Sequence, residues 1–165
     1  CDEAGVTKGA FFHHFSSKEE MACQAAAFFG GFACSHFGSA PYQSIEDPLE
    51  RLLGYIAFRR SLLKGDAWTY TCLLGTMVQE VHESSPSIRT ACEKEIWGHA
   101  ESLVPMIEEA VLAHPPSRPI APLQLALFTQ AVLQGAFVLA KACQSPEPAI
   151  ASVDELAAYI RTVFS

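Results

Sequence analysis

Four short stretches of this chain carry the signature of a helix about to begin, and nothing between them alternates like a β-strand. Ser17-Lys18-Glu19-Glu20 is a capping box: the serine oxygen accepts a backbone N–H of the first turn, and Glu20 can reach back to the cap. Asp47-Pro48-Leu49-Glu50 repeats the arrangement with proline at the first helical position, where its missing N–H is not needed. Ser85-Pro86 opens another helix, and Ser152-Val153-Asp154-Glu155 reads as one more box. Breakers separate these starts. They are GSAPYQ (38–43), KGDAW (64–68), SPEP (145–148) and HPPSRPIAP (114–122), an extended connector with four prolines in nine residues. The spacing predicts a short helix from Thr7 and long helices over 18–37, 48–63, 71–83, 86–113, 122–144 and 153–164. The expected fold class is all-α. With 50% hydrophobic and 18% charged residues the chain can bury a sizeable core.

The stretch AGVTKGAFFHHFSSKEEM (4–21) packs two turns and a very short helix into eighteen residues. Asp2, Glu3 and Ala4 read as the end of a preceding helix, and Gly5 supplies the left-handed conformation of a sharp turn. Thr7 can cap a helix whose first turn is Lys8, Gly9 and Ala10, with Val6 and Phe11 as a hydrophobic staple. Phe11 and Phe15 lie one turn apart and can point inward, which leaves Lys8, Gly9, Phe12 and His13 facing elsewhere. Gly9 and Ala10 are small enough to let the helix approach a groove, and free N–H groups at a helix start can seat a phosphate. The net charge of −7 excludes a protein that coats nucleic acid nonspecifically, though not a small DNA-reading surface on an acidic body. Within 1–21 the acids Asp2, Glu3, Glu19 and Glu20 outnumber Lys8 and Lys18.

The same run resembles the recognition half of the helix-turn-helix in the tetracycline-repressor (TetR/AcrR) family, whose usual form is close to AGVSKGALYHHFxSKEEL. The resemblance implies that Thr7, Lys8, Gly9 and Ala10 lie at the groove-facing start of a recognition helix. Phe12 and His13 would lie on its DNA-facing side, and His14 and Lys18 would approach phosphates. Phe12 departs from the pattern, since the family usually places there a tyrosine whose hydroxyl meets a phosphate; a phenyl ring can offer only apolar contact, for example to a thymine methyl. The family carries one helix and most of a second ahead of this run. Residues 1–37 are therefore expected to be the remnant of the DNA-binding domain with its connecting helix, and 38–165 a helical effector-binding and dimerisation domain.

For that second part the resemblance is carried by TCLLGTMVQEVHESSPSIRTACE (71–93). It implies a cavity enclosed by the helices that start near 48, 71, 86 and 122. Candidate pocket residues are Tyr55, Phe58, Trp68, Cys72, Met77, Trp97, Met106 and Phe128, with His99, His82 and Gln79 as polar contributors. Each aromatic or methionine taken singly fits a core position better. Leu123, Leu127, Ala131, Gln134, Gly135, Val138 and Ala142 recur at helical spacing, and Leu156, Ile160, Val163 and Phe164 do so in the last helix. In the family such a pair of helices packs against its twin in a homodimer suited to a palindromic operator. The alternative is that both stripes close the protomer's own core.

The implied function is a cytoplasmic transcriptional repressor released from double-stranded operator DNA by a small, mostly apolar effector. A covalent variant would use Cys72 as a redox or electrophile sensor, although no Lys or Arg lies within four residues to lower its pKa. The six cysteines show no CxxC spacing and the N-terminus no signal-peptide pattern, so reduced, mostly buried thiols are expected. No nucleophile elbow or phosphate loop marks an enzyme, and His13-His14 is adjacent rather than helically spaced, so neither a metal nor a cofactor is expected. The most apolar run, 125–140, contains two Gln and a Gly and reads as a buried or interface helix, so no membrane partner is expected.

Overall fold

The computed structural model describes Glu3, Gly5 and residues 7–165, except for the side chains of Lys8 and Phe11. The proposed Val6–Phe11 staple and the roles given to Asp2 and Ala4 lie outside the described residues. Among those residues the chain is helical without strands: α1 Lys8–His14, α2 Lys18–Gly38, a 3-10 turn Pro41–Ser44, α3 Pro48–Ser61, α4 Ala67–Tyr70, α5 Leu73–Val81, α6 Pro86–Ala113, α7 Pro122–Cys143 and α8 Glu147–Val163.

The caps explain the starts. Thr7 Oγ1 accepts from Ala10 N at 3.1 Å, and Gly5 takes a φ of 63° in the turn before it. Ser17 Oγ accepts from Glu20 N at 3.0 Å, but Glu20 reaches beyond the cap, its Oε2 accepting from Ser16 N at 2.7 Å and from Ser16 Oγ at 2.5 Å. Asp47 Oδ1 caps α3 through Glu50 N at 2.9 Å. The last helix differs from its expected start. It begins at Glu147, because Ser145 Oγ accepts from Glu147 N at 3.2 Å and Pro146 and Pro148 occupy a first turn that tolerates proline. Ser152, expected to cap, instead sits inside α8 and donates its hydroxyl to Pro148 O at 2.8 Å. The KGDAW breaker turns through Gly65, at φ 79°, and then forms the single turn of α4. Helix α7 closes on Gln144 in the left-handed conformation, whose backbone N–H caps the helix.

The chain divides into two compact units, Cys1–Ala33 with Leu73–Ile96, and Cys34–Cys72 with Trp97–Ser165. This differs from the boundary expected after residue 37: the first unit also takes up α5 and the start of α6. Glu19 shows why, accepting hydrogen bonds from Ser85 Oγ at 2.5 Å and from Ser87 Oγ, which hold its carboxyl below the usual carboxylate range. The Glu95 side chain of α6 lies across α2 at Gly30, where an added Cβ would stand 2.0 Å from its Oε2. Ala26 and Cys92 are fully buried within this unit, with Leu74 and Ile88 nearly so.

The second unit holds the main core, built from Leu52, Ile56, Ile107, Leu133, Leu156 and Ile160. Helices α7 and α8 pack together and α3 packs on α8. At Gly54 an added Cβ would lie 2.8 Å from Ile45 Cδ1 and 2.9 Å from Tyr42 Cβ, so α3 rests directly on the 3-10 turn. Two ion pairs and one histidine–carboxylate contact surround this core. Arg51 meets Glu109, Arg60 Nε donates to Asp154 Oδ1 at 2.6 Å, and His114 Nε2 lies 2.6 Å from Asp47 Oδ2. Helix α7 is long and apolar enough to cross a membrane by length and composition alone; in this fold 44% of its most apolar window is buried, consistent with its place in the core.

Candidate DNA-binding and ligand-binding sites

The α1 helix presents a surface on which large side chains stand out. Gly9, Phe12, His13 and His14 are exposed, Phe12 at 60%, and Lys18 is exposed at the start of α2. Ala10 and Phe15 are half-buried, which separates an outward face from an inward one. The glycine is not demanded by its own helix packing: an added Cβ at Gly9 would meet only Thr7 Oγ1, at 3.7 Å. A helix gives up stability for a glycine, so its value here lies in leaving the outer face free of a side chain. The side chain of Lys8, expected on the same face, is outside the described residues.

In the second unit an aromatic group gathers around the end of α2. Phe37 meets Tyr55, Phe58 and His99, with ring centres 5.9, 5.9 and 5.0 Å away. His36 and Tyr42 also contact Phe58, at 5.3 and 5.8 Å. The Arg59 guanidinium lies 4.8 Å from the centre of the Phe37 ring and 5.6 Å from that of Phe137. Polar atoms are enclosed here. Tyr55, fully buried, has its hydroxyl 3.0 Å from His99 Nε2, and burial raises its pKa. Tyr42 donates to Phe37 O at 3.0 Å and is pushed up to about 12, again by burial. Burial, with Arg59 adding to it, depresses His99 to about 4. The imidazole is therefore neutral near pH 7, with one ring nitrogen free to accept a hydrogen bond.

Of the residues expected to line a pocket, Tyr55, Phe58 and His99 come together in this group, while Cys72 and Met106 are half-buried against the same core. Met77 is half-buried on α5 in the first unit. Three others stand apart from this group and are exposed within the second unit. Trp68 is 79% exposed, Trp97 is 45% exposed with its indole N–H donating to Glu101 Oε1 at 3.1 Å, and Phe128 is 43% exposed. Phe128 belongs instead to an outer face, its ring 5.0 Å from that of Tyr159. Among the polar contributors, Gln79 Nε2 donates to Gly75 O at 2.9 Å and His82 is exposed. The sequence reading missed Arg59 and Gln130. Gln130 was visible as a polar residue in an apolar run, whereas an arginine near a helix end ordinarily reads as solvated.

That outer face is a second stripe. Phe128, Ala131, Gly135, Val138 and Leu139 are exposed along α7, and Leu127 and Gln134 are half-buried at its margin. Ala158 and Tyr159 are exposed on α8, whereas Leu156 and Ile160, expected at an interface, are 2% and 0% exposed and belong to the protomer's own core. Their period was read correctly and their side was not. Among the cysteines of the described residues Cys92 alone is buried, Cys23 and Cys72 are half-buried and Cys34 and Cys143 are exposed, so the thiols are not mostly buried as expected. No described group of His, Cys, Asp and Glu is arranged to hold a metal.

Comparison with known proteins places these observations. A family model for the C-terminal domain of LmrA/YxaF-like transcriptional regulators matches residues 48–153, and one for bacterial regulatory proteins of the tetR family matches residues 1–25. No curated protein matches the sequence significantly. Among solved structures, a TetR-family transcriptional regulator from Agrobacterium tumefaciens is 17% identical with a TM-score of 0.84, over 99% of this chain and 84% of its own. The reduced form of NemR from E. coli is 24% identical with a TM-score of 0.79, over 99% and 83%. The regulatory protein TetR from Rhodobacter sphaeroides is 20% identical with a TM-score of 0.82, over 94% and 82%. At these identities the structures establish the fold.

The depressed His99 has a consequence for stability. Its folded value of about 4 lies below the ordinary 6.5, so the unfolded chain binds the proton more readily. The stability it contributes is complete above pH 6.5 and is lost as pH falls toward 4, by on the order of 3 kcal/mol. Urea unfolding of the wild type and His99→Gln across this range should show the wild type losing stability faster as the solution is acidified. Parallel profiles would contradict the assignment.

Proposed function

The chain belongs to the TetR family of bacterial regulatory proteins, with an LmrA/YxaF-like C-terminal domain, and from that premise we propose how it works. It is a DNA-binding transcriptional regulator and not an enzyme. In the proposed mechanism it acts in the cytoplasm as a homodimeric repressor. The α1 helices of two protomers enter adjacent major grooves, and a small, mostly apolar effector releases them. The observation that carries the DNA-reading part is the outer face of α1, where Gly9 leaves the backbone approachable beside exposed Phe12 and His13. Phosphate contacts from His14 and Lys18 would set the helix in register, and Phe12 would supply apolar contact to base edges.

The exposed stripe on α7 with Ala158 and Tyr159 of α8 supports the dimer. Its small residues let two helices approach closely, and two-fold symmetry would bring the same stripe from each copy together. Effector release follows as a population shift: a ligand that binds better to the arrangement with misplaced α1 helices lowers operator affinity by the difference in its own affinities.

Two experiments test this reading. With an operator fragment selected in vitro, Gly9→Ala should raise stability by up to about 1 kcal/mol, through helix propensity, while weakening operator binding by about fivefold or more in fluorescence anisotropy. Unchanged operator affinity would count against α1 as the reading helix. For the dimer, Gly135→Arg places a charge on an open surface where an added Cβ meets nothing within 4 Å of its own protomer. Sedimentation should show a folded monomer; a dimer as stable as the wild type would move the interface elsewhere.

A further inference from the structure

The aromatic group of the second unit holds charge and polarity that its own protomer leaves unanswered. Arg59 is partly buried between the Phe37 and Phe137 rings, and among the described residues no carboxylate pairs with it; its neighbour Arg60 takes Asp154. A partly desolvated guanidinium without a counter-ion is an unusual feature of a folded core. Gln130, on α7, is 6% exposed, and its Nε2 makes no hydrogen bond of good geometry among the described residues, its one polar neighbour being the Tyr55 phenol. Its side chain lies close enough to Tyr55 to act on the phenol, and Tyr55 precedes Arg59 by one turn of α3. The Tyr70 hydroxyl, on α4 beside α7, is likewise buried without a partner. Native proteins seldom leave such groups unpaired, and a site that is completed by a ligand is one reason to do so.

The unanswered groups share one preference. A guanidinium and an amide N–H both seek an acceptor, and the guanidinium lies against the Phe37 and Phe137 rings. Neutral His99 adds no second cation. We propose that this cluster is the recognition end of the effector site and that its ligand is an aromatic carboxylate, its charged end at Arg59, its ring against Phe37 and Phe58, and a ring oxygen accepting from Gln130 Nε2. The inference rests on the reading of this unit as effector-binding and adds to it the chemical class. A planar guanidinium suits a carboxylate because two parallel N–H donors match its two oxygens.

The test uses para-hydroxybenzoate and its neutral methyl ester, titrated into the whole protein by calorimetry, with operator binding measured on the same preparation. The acid should bind about tenfold more tightly than the ester, the increment of one charge-assisted contact. Arg59→Met should abolish that preference while keeping the ester's affinity, Arg59→Lys should keep part of it, and Gln130→Leu should weaken both ligands with the preference intact. Retained ester binding shows that Arg59→Met still folds its site. Equal affinities in the wild type, a preference that survives Arg59→Met, or no binding of the acid at millimolar concentration would each overturn the proposal. Failure of the wider regulator reading is separately visible, as loss of operator binding in a protein that still prefers the acid.

Discussion

Phe37 is the residue around which the aromatic group of the second unit is assembled. It stands at the end of α2, the helix that begins four residues after α1 ends and finishes inside the second unit. Its ring meets Tyr55, Phe58 and His99 and carries the Arg59 guanidinium on its face. Interdigitated aromatic packing of this kind has few alternative arrangements, so a change in the cluster is not absorbed locally. The proposed ligand site and the far end of the connecting helix are thus built from the same side chains, and differential binding there can bias where α2 ends.

The cluster is also where local rules of core building are broken. Elsewhere in the second unit burial is mostly apolar, and polar groups are met within helices, at caps and in the contacts between Arg60 and Asp154 and between His114 and Asp47. Around Phe37 the chain buries two tyrosines, a neutral histidine, a glutamine and much of an arginine, all of which cost desolvation. Exceptions of this kind concentrate at functional sites, where stability is exchanged for recognition. The exposed stripe of α7 is a second exception, large apolar side chains left on a surface that a second copy can cover.

Much of this architecture was legible in the sequence because helix starts are written in local chemistry. Thr7, Ser17 and Asp47 cap as their side chains suggest. Where a local rule had two solutions the reading failed: Ser152 matches a cap, but Pro148 and Ser145 form an earlier start, and the helix propagates through the later box. Periodicity identified the stripes on α7 and α8 but cannot say which side faces the core. Leu156 and Ile160 therefore turned inward while Tyr159 and Phe128 remained outside. The site around Phe37 was only half visible. Tyr55, Phe58 and His99 stand out as residue types, whereas Arg59 and Gln130 acquire meaning only when tertiary packing brings them against rings and leaves their donors unpaired.

The most direct test of this account is the operator affinity of Phe37→Ala, compared with the wild type and with Leu156→Ala, by anisotropy at one salt concentration. Leu156 lies in the same core but outside the cluster, so its truncation controls for general loosening. If Phe37 couples the second unit to α1, its loss should change operator affinity by at least about fivefold, the lower end of ordinary allosteric couplings, while Leu156→Ala stays within about twofold of the wild type. Operator affinities that are equal in all three folded proteins would contradict the claim that α2 carries the signal.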